Sequence, residues 1–431
     1  MGLGKTVQVL AMLEGRRGKA KFPSLAVVPK SLVWNWQQEA TRFTPRLRVK
    51  SHVGADRVRD ARKLAGTDLV ITTYGTLRAD ALFFGQVDFD YVILDEAQAI
   101  KNGASESAKA ARLLRGQHRL ALSGTPVENH IGELWSLFEF LNPGMLGAAS
   151  AFEGATKRGR PSAETVGVLS QALRPFILRR TKDRVAPELP AKHEETILCE
   201  LEAPQRKLYD ELRDHYRGKL LGRVERDGLG KAKIMVLEAL LRLRQAACHP
   251  GLIDKERAGE TCAKLDVLLP RLDEVRAAGC KALVFSQFTS FLGILRNRLD
   301  VAKIPYAYLD GDVSMKERAA RVTRFQEDPG CPIFLISLKA GGMGLNLTAA
   351  EYVFILDPWW NPAVEAQAVD RAHRIGQDRR VFVYRLLCGG TVEEKVAALQ
   401  ESKRNLAESI ISTSESLIRD LDRQTLEMLL S

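Results

Sequence analysis

Short runs of Val, Ile, Leu, Phe and Ala that are apolar throughout, with no alternation, constrain this chain more than any other feature. They include Leu25–Val28, Leu69–Thr72, Tyr91–Leu94, Leu120–Leu122, Ala282–Phe285, Ile333–Ile336, Tyr352–Leu356 and Val381–Leu386. Alternation marks a strand with one buried face. A run apolar at every position suits a strand buried on both faces, as in a parallel sheet covered by helices. Helical patterns separate the runs, so the class is an α/β sandwich. The runs fall into two groups, before about residue 125 and after about residue 280. The stretch between is polar and helix-rich, and Pro204–Pro250 carries 11 Lys and Arg against 6 Asp and Glu. The expectation is two α/β lobes joined by a helical insertion, within the domain number that 431 residues allow.

Composition narrows the function classes. The net charge of +11 favours a polyanionic partner, although charge alone does not separate nucleic acid from a membrane surface. No apolar run approaches the ~20 residues of a membrane span and no signal-peptide pattern opens the chain, so a soluble, intracellular protein is expected. Six scattered cysteines without a Cys-x-x-Cys pair argue against a disulfide framework. The spacings of Cys248, His249, Cys262 and Cys280 do not fit zinc-ligand pairs. The small basic segment Ala155–Pro161 reads as a loop.

Five segments carry chemistry. The chain opens Met1-Gly2-Leu3-Gly4-Lys5-Thr6, the closing part of a phosphate-binding loop, followed by a helical pattern. Glycines let backbone amides approach phosphate oxygens, and a helix N-terminus favours negative charge. Lys5 would then reach the β- and γ-phosphates, and the Thr6 hydroxyl would ligate Mg2+. The full loop needs more residues ahead of Gly4-Lys5 than the chain has, and a fraying terminus is the competing reading. In Tyr91–Gln98 a buried strand delivers Asp95 and Glu96 at its C-terminal end, where open α/β sheets bind ligands. Asp95 would hold Mg2+ through its water shell and Glu96 would deprotonate an attacking water, unless the pair merely caps a helix start. Ser123-Gly124-Thr125-Pro126 is either a phosphate-state relay or a strand-terminating turn. In the second group, Asn361-Pro362 predicts a helix start, which would place Gln367, Asp370, Arg371 and Arg374 on one helical face. Two guanidiniums and two polar side chains on one stripe suit phosphate recognition, or a solvated face. His373 faces elsewhere and reads as structural. Gly341-Gly342-Met343-Gly344 follows a strand and suits close approach of a phosphate, or a plain turn.

Together and in this order, these segments resemble the Swi/Snf-type ATPases of helicase superfamily two. Gly2–Thr6, Asp95–Gln98 with Ile100-Lys101-Asn102, Leu122–Pro126, Gly341–Leu347 and Asp370–Gln377 match that family's motifs. Pro29–Trp36, Thr72-Thr73-Tyr74, Leu178–Lys182, Val284–Phe288, Leu309-Asp310-Gly311 and Asp357–Pro362 fit as well. The resemblance implies two RecA-like lobes, at 1–130 and 263–400, with helical protrusions and a linker at 131–262 and a helical extension at 401–431. It implies ATP and Mg2+ as cofactors, with Gly2, Gly4, Lys5, Thr6 and Gly342 on the nucleotide and Thr6 and Asp95 on the metal. Asp95, Glu96, Gln367, Arg371 and Arg374 would be catalytic, the arginines acting across the inter-lobe cleft. Lys30, Thr72, Thr73, Ser286 and Thr289 would face the backbone of double-stranded DNA. The implied activity is DNA-dependent ATP hydrolysis coupled to translocation on the duplex, with DNA-bound proteins as remodelling targets and no membrane partner. A DNA-binding fragment without hydrolysis and a strand-separating helicase are the alternatives. Gln98 departs from the His often found at its position, which leaves the link to Ser123–Thr125 open. The start inside the phosphate loop implies an N-terminally truncated member that turns ATP over poorly as written. The composition looks bacterial, which would place the protein in the cytoplasm at the nucleoid, or in the nucleus of a eukaryote.

Overall fold

The structure is a computed structural model and describes residues 2–57, 59–124, 131–147, 171–178, 180, 182–341, 345–359, 362–407 and 428–429. The chain forms two compact units, Met1–Pro187 and Glu188–Ser431. The expected loop Ala155–Pro161 lies outside the described residues, as do Thr125, Pro126 and Gly342.

In the first unit, β1 (Ser24–Val28), β2 (Val49–His52), β3 (Leu69–Thr73), β4 (Asp88–Leu94) and β5 (Arg115–Ala121) form a sheet of order β2-β3-β1-β4-β5. All its pairings are parallel. Its apolar runs are explained by two cores. Leu25, Val27, Val70, Val92 and Leu94 pack on one face, while Ala26, Val28, Leu69, Ile71 and Ile93 pack on the other with Trp36 and Leu10. The latter two come from helices α1 (Lys5–Arg16) and α2 (Val33–Phe43); α3 (Tyr74–Ala79) follows β3 directly.

The second unit repeats the scheme with β6 (Lys192–Cys199), β7 (Ala282–Ser286), β8 (Tyr306–Leu309), β9 (Ile333–Ser337), β10 (Tyr352–Ile355) and β11 (Val381–Cys388), in the order β6-β11-β10-β7-β9-β8. Every pairing is parallel. Val284, Leu335 and Phe354 face one core, and Leu283, Phe285, Phe334 and Val353 the other. Its principal helices are α4 (Ala203–Cys248), α5 (Ala263–Ala277), α6 (Thr289–Val301), α7 (Met315–Glu327), α8 (Pro362–Val369) and α9 (Val392–Ala407).

All eight apolar runs lie on or overlap strands. Three strands escaped that pattern: β2, β6 and β8, each at a sheet edge. An edge strand pairs on one side only and can keep polar residues, as Lys192-His193-Glu194-Glu195 of β6 does with every one of them exposed, whereas β8, Tyr306-Ala307-Tyr308-Leu309, is short and alternates half-buried tyrosines with buried residues. The sequence reading placed 188–262 with the helical insertion, and the structure corrects it. β6 extends the second sheet, and Leu240, Leu243, Ala246 and Ala247 of α4 enter the second core.

That core also encloses an ion pair. Lys264 Nζ lies 2.8 and 2.6 Å from the two oxygens of Glu393, both side chains being fully buried, and it donates to the Leu356 carbonyl at 2.6 Å. Removing one partner leaves the other charge uncompensated, which costs about 3–5 kcal/mol, whereas an apolar pair of similar volume is often tolerated. Lys264→Met is therefore expected to lower the free energy of unfolding, measured by urea denaturation, by that amount, and Lys264→Met with Glu393→Leu to recover most of it. A single variant within about 1 kcal/mol of the parent would show that the pair is not an isolated buried charge couple.

Candidate functional site

In an open parallel sheet the strand order reverses at one point, and ligand-binding residues collect at the carboxyl ends of the strands there. In the first unit the crossing from β3 to β4 passes over β1, and Lys30, Thr73, Asp95 and Glu96 all lie at or just past the carboxyl ends of these three strands.

Asp95 is buried, 4% exposed. The Trp36 indole N–H donates to Oδ2 at 2.9 Å and the Glu96 amide donates to Oδ1 at 2.9 Å, while the Tyr74 hydroxyl donates to the Asp95 carbonyl at 2.9 Å. Burial, reinforced by the Glu96 charge, pushes the Asp95 carboxyl up to about 6 despite the opposing pull of Trp36 and Lys5. Each carboxylate oxygen keeps a lone pair beyond its one protein donor, so the group can still accept from the water shell of a hard cation. Glu96 stands in the left-handed region at φ 48°, a conformation uncommon for a non-glycine residue. Gln98 Nε2 donates to Glu96 Oε2 at 2.8 Å and Ser123 Oγ donates to Gln98 Oε1 at 3.4 Å. Gln98 thus links Glu96 to the Ser123–Gly124 turn directly, the connection that the sequence left open.

Lys5 and Thr6 form the first turn of α1 and are half-buried. Gly4 precedes them at φ 69°, where a side chain would be strained, and Gly2 is at φ 76°. No side chain caps α1, so its first amides remain available to an anion, as helix N-termini allow.

Of the residues expected on DNA, Lys30 and Thr289 are exposed, Thr289 as the first residue of α6. Thr72 and Ser286 correct the expectation. Both are fully buried; Thr72 Oγ1 donates to the His52 carbonyl at 2.9 Å, and the Ser286 hydroxyl donates to Asp357. Thr73 is buried and caps α3, accepting from the Thr76 amide at 3.1 Å. The hydroxyls of these three are engaged by protein partners, as buried polar side chains are.

The helical stripe in the second unit is also corrected. α8 begins at Pro362 as expected but ends at Val369, so Gln367 is helical and half-buried while Asp370, Arg371 and Arg374 lie in the turns that follow. Those turns meet the backbone at Leu345 and Leu347. The Leu347 amide donates to the Arg371 carbonyl at 3.0 Å, and Arg374 Nη1 donates to the Leu345 carbonyl at 3.5 Å. Sequence reasoning missed Gln377, whose buried Nε2 meets the carbonyls of Thr348, Ala350 and Ala372 at 3.0–3.2 Å. His373 Nε2 hydrogen-bonds the Pro190 carbonyl at 2.9 Å, a structural role as read. Trp36 and Tyr74 were also missed as Asp95's partners; their only signal was their place inside the motifs Pro29–Trp36 and Thr72–Tyr74. Among the described residues no group of three or more His, Cys, Asp or Glu is arranged to hold a metal ion, and no helix is long and apolar enough to cross a membrane.

The indole donor favours the charged form of Asp95, so Trp36→Phe should raise its titration midpoint above 6. A carboxyl raised in the folded state makes stability fall as pH climbs from about 4 to about 6, and Asp95→Asn should flatten that slope. Infrared titration of the carboxylate band together with pH-dependent melting tests both, and a midpoint near 4 in the parent protein would refute the burial argument.

Comparison with known proteins places these elements among relatives. The description "SNF2-related domain" matches residues 1–252, and "Helicase conserved C-terminal domain" matches residues 263–376. The chain is similar to the putative ATP-dependent helicase/translocase YwqA of Bacillus subtilis, 40% identical over all of this chain and 48% of that protein. It is 31% identical to the TATA-binding protein-associated factor MOT1 of Saccharomyces cerevisiae, over 99% of this chain and 27% of that one. The chain therefore spans about half or less of the length of the curated relatives it matches. A solved structure, the Sulfolobus solfataricus SWI2/SNF2 ATPase core in complex with dsDNA, is 35% identical over all of this chain and 91% of that chain, with a TM-score of 0.49.

Proposed function

The chain belongs to the SNF2-related family, and from that premise we propose that it is an ATP hydrolase that uses Mg2+–ATP to move along double-stranded DNA and displace proteins bound there. The observation that carries this reading is the Asp95–Glu96 pair at the strand-order reversal of the first sheet, beside the uncapped N-terminus of α1.

Each residue then has a task. Backbone amides after Gly4 and the Lys5 ammonium bind the β- and γ-phosphates. Thr6 and Asp95 would hold Mg2+, which when bound neutralises phosphate charge. Glu96 takes a proton from the attacking water. Gln98 carries the position of Glu96 to Ser123. Arg371 and Arg374 would stabilise charge developing on the transferred phosphoryl group, Gln367 would share that catalytic role, and Gly342 would contact the nucleotide. On DNA, Lys30 and Thr289 contact phosphates, while Thr72, Thr73 and Ser286 shape the turns that present them. Phosphate contact gives register without sequence readout, which suits a translocating motor. The charge of +11 and the helicase/translocase names of relatives support duplex DNA as the track.

In the whole natural polypeptide, duplex DNA should stimulate ATP turnover. Glu96→Gln should lower turnover by about 10²–10⁴-fold and Arg374→Ala by roughly 10³-fold, with DNA binding retained. Near-normal turnover in Glu96→Gln, measured by phosphate release, would overturn the assignment. Duplex affinity should also fall steeply with salt and hardly vary with sequence, because binding releases condensed counterions. Equal affinity at low and high salt, or strong preference for one sequence, would count against a phosphate track.

A further inference from the structure

We propose that Arg244, near the end of α4, is a positioning residue that fixes the Gln287–Thr289 turn for phosphate contact. The inference rests on the reading of this chain as a duplex-DNA motor.

The segment Leu356–Trp359 runs without regular structure from β10 toward α8, and four helices hold its backbone. Lys264 of α5 donates to the Leu356 carbonyl at 2.6 Å, Arg244 of α4 to the Pro358 carbonyl, and Gln400 of α9 to the Trp359 carbonyl at 2.6 Å. Glu365 of α8 accepts from the Trp359 amide at 2.7 Å. At the centre the fully buried Asp357 accepts from the Ser286 hydroxyl and, at 3.1 Å, from the Gln287 amide. Asp357 thereby joins the carboxyl ends of β7 and β10, neighbours in the sheet.

Arg244 reaches both sides of this joint. Beyond Pro358, its Nη1 donates to Gln287 Oε1 at 3.3 Å, and its guanidinium stacks 5.8 Å from the centre of the Phe288 ring. The side chain is 3% exposed, so it cannot meet DNA itself. Its effect passes through Gln287 and Phe288 to Thr289, the exposed first residue of α6. A polar turn at a strand end is soft unless clamped, and a planar guanidinium supplies two donors at a fixed angle where an ammonium offers a point charge. Because Arg244 rides on α4, displacement of that 46-residue helix moves the DNA-facing turn with it.

The test compares Arg244→Lys, Gln287→Ala and the double variant in the full chain. Binding of a fluorescein-labelled DNA duplex is read by anisotropy, and amide exchange over 286–290 by mass spectrometry. Arg244→Lys should weaken duplex binding about tenfold and accelerate exchange at Gln287 and Phe288, leaving strand β7 protected. Gln287→Ala, which removes only a half-buried acceptor and should fold normally, should do the same. The double variant should be no worse than the worse single one, the sign of a shared route. Additive losses, unchanged exchange, or faster exchange with unchanged DNA affinity would each overturn the proposal. If the parent chain shows no duplex affinity, the motor reading falls. The exchange data then still judge the clamp, with unchanged exchange in both single variants refuting it.

Discussion

A carboxylate placed at the buried carboxyl edge of a parallel sheet must be met by donors or take up a proton. Each unit is organised around one such group. Asp95 follows β4 and Asp357 follows β10, each strand pairs with the first interior strand of its unit, and burial raises both carboxyls, to about 6 and about 7. In the first unit the donors are an indole and a neighbouring amide; in the second they are a serine, an amide and the more distant Arg244. The difference fits the tasks proposed for them. Asp95 keeps lone pairs for a hydrated cation, whereas Asp357 is consumed by protein donors and serves as a joint.

Around these carboxylates, backbone tension is concentrated in few places. Among the described non-glycine residues only Glu96 and Lys303 have positive φ, and Glu96 follows Asp95 directly. The rest of the first unit's edge is relaxed: Thr73 caps α3, and the Leu122 amide just past β5 donates to the Leu94 carbonyl at 2.8 Å. One strained residue thus stands at the rim of an otherwise relaxed sheet.

Central strands were legible because both faces of the sheets are packed, so Leu25–Val28 or Ile333–Ile336 leaves no other reading. The acids proposed for catalysis were legible at Asp95-Glu96, where a buried run ends in two carboxylates. Legibility failed where function depends on partners distant in sequence. Thr72 and Ser286 look available for a ligand until burial assigns their hydroxyls to His52 and Asp357. The stripe from Gln367 to Arg374 assumed a helix running on through Asp370. Past Val369 the backbone tightens instead: the amides of Arg371, Ala372 and Gln377 donate to carbonyls three residues back, a change that side-chain periodicity does not register. Trp36 and Arg244 are invisible as site-builders because the groups they hold lie 59 and 43 residues away.

The margins of the second sheet have a consequence for the molecule in a crowded solution. β6 carries Lys192, Glu194 and Glu195 at one margin of the second sheet, and at the other Arg321 occupies the Tyr308 carbonyl of β8 at 2.7 Å. A foreign strand approaching either margin meets fixed charge or a carbonyl already taken, so the ladder offers a poor template to extend. The second sheet, wide and strongly apolar at its centre, thereby resists extension at its margins.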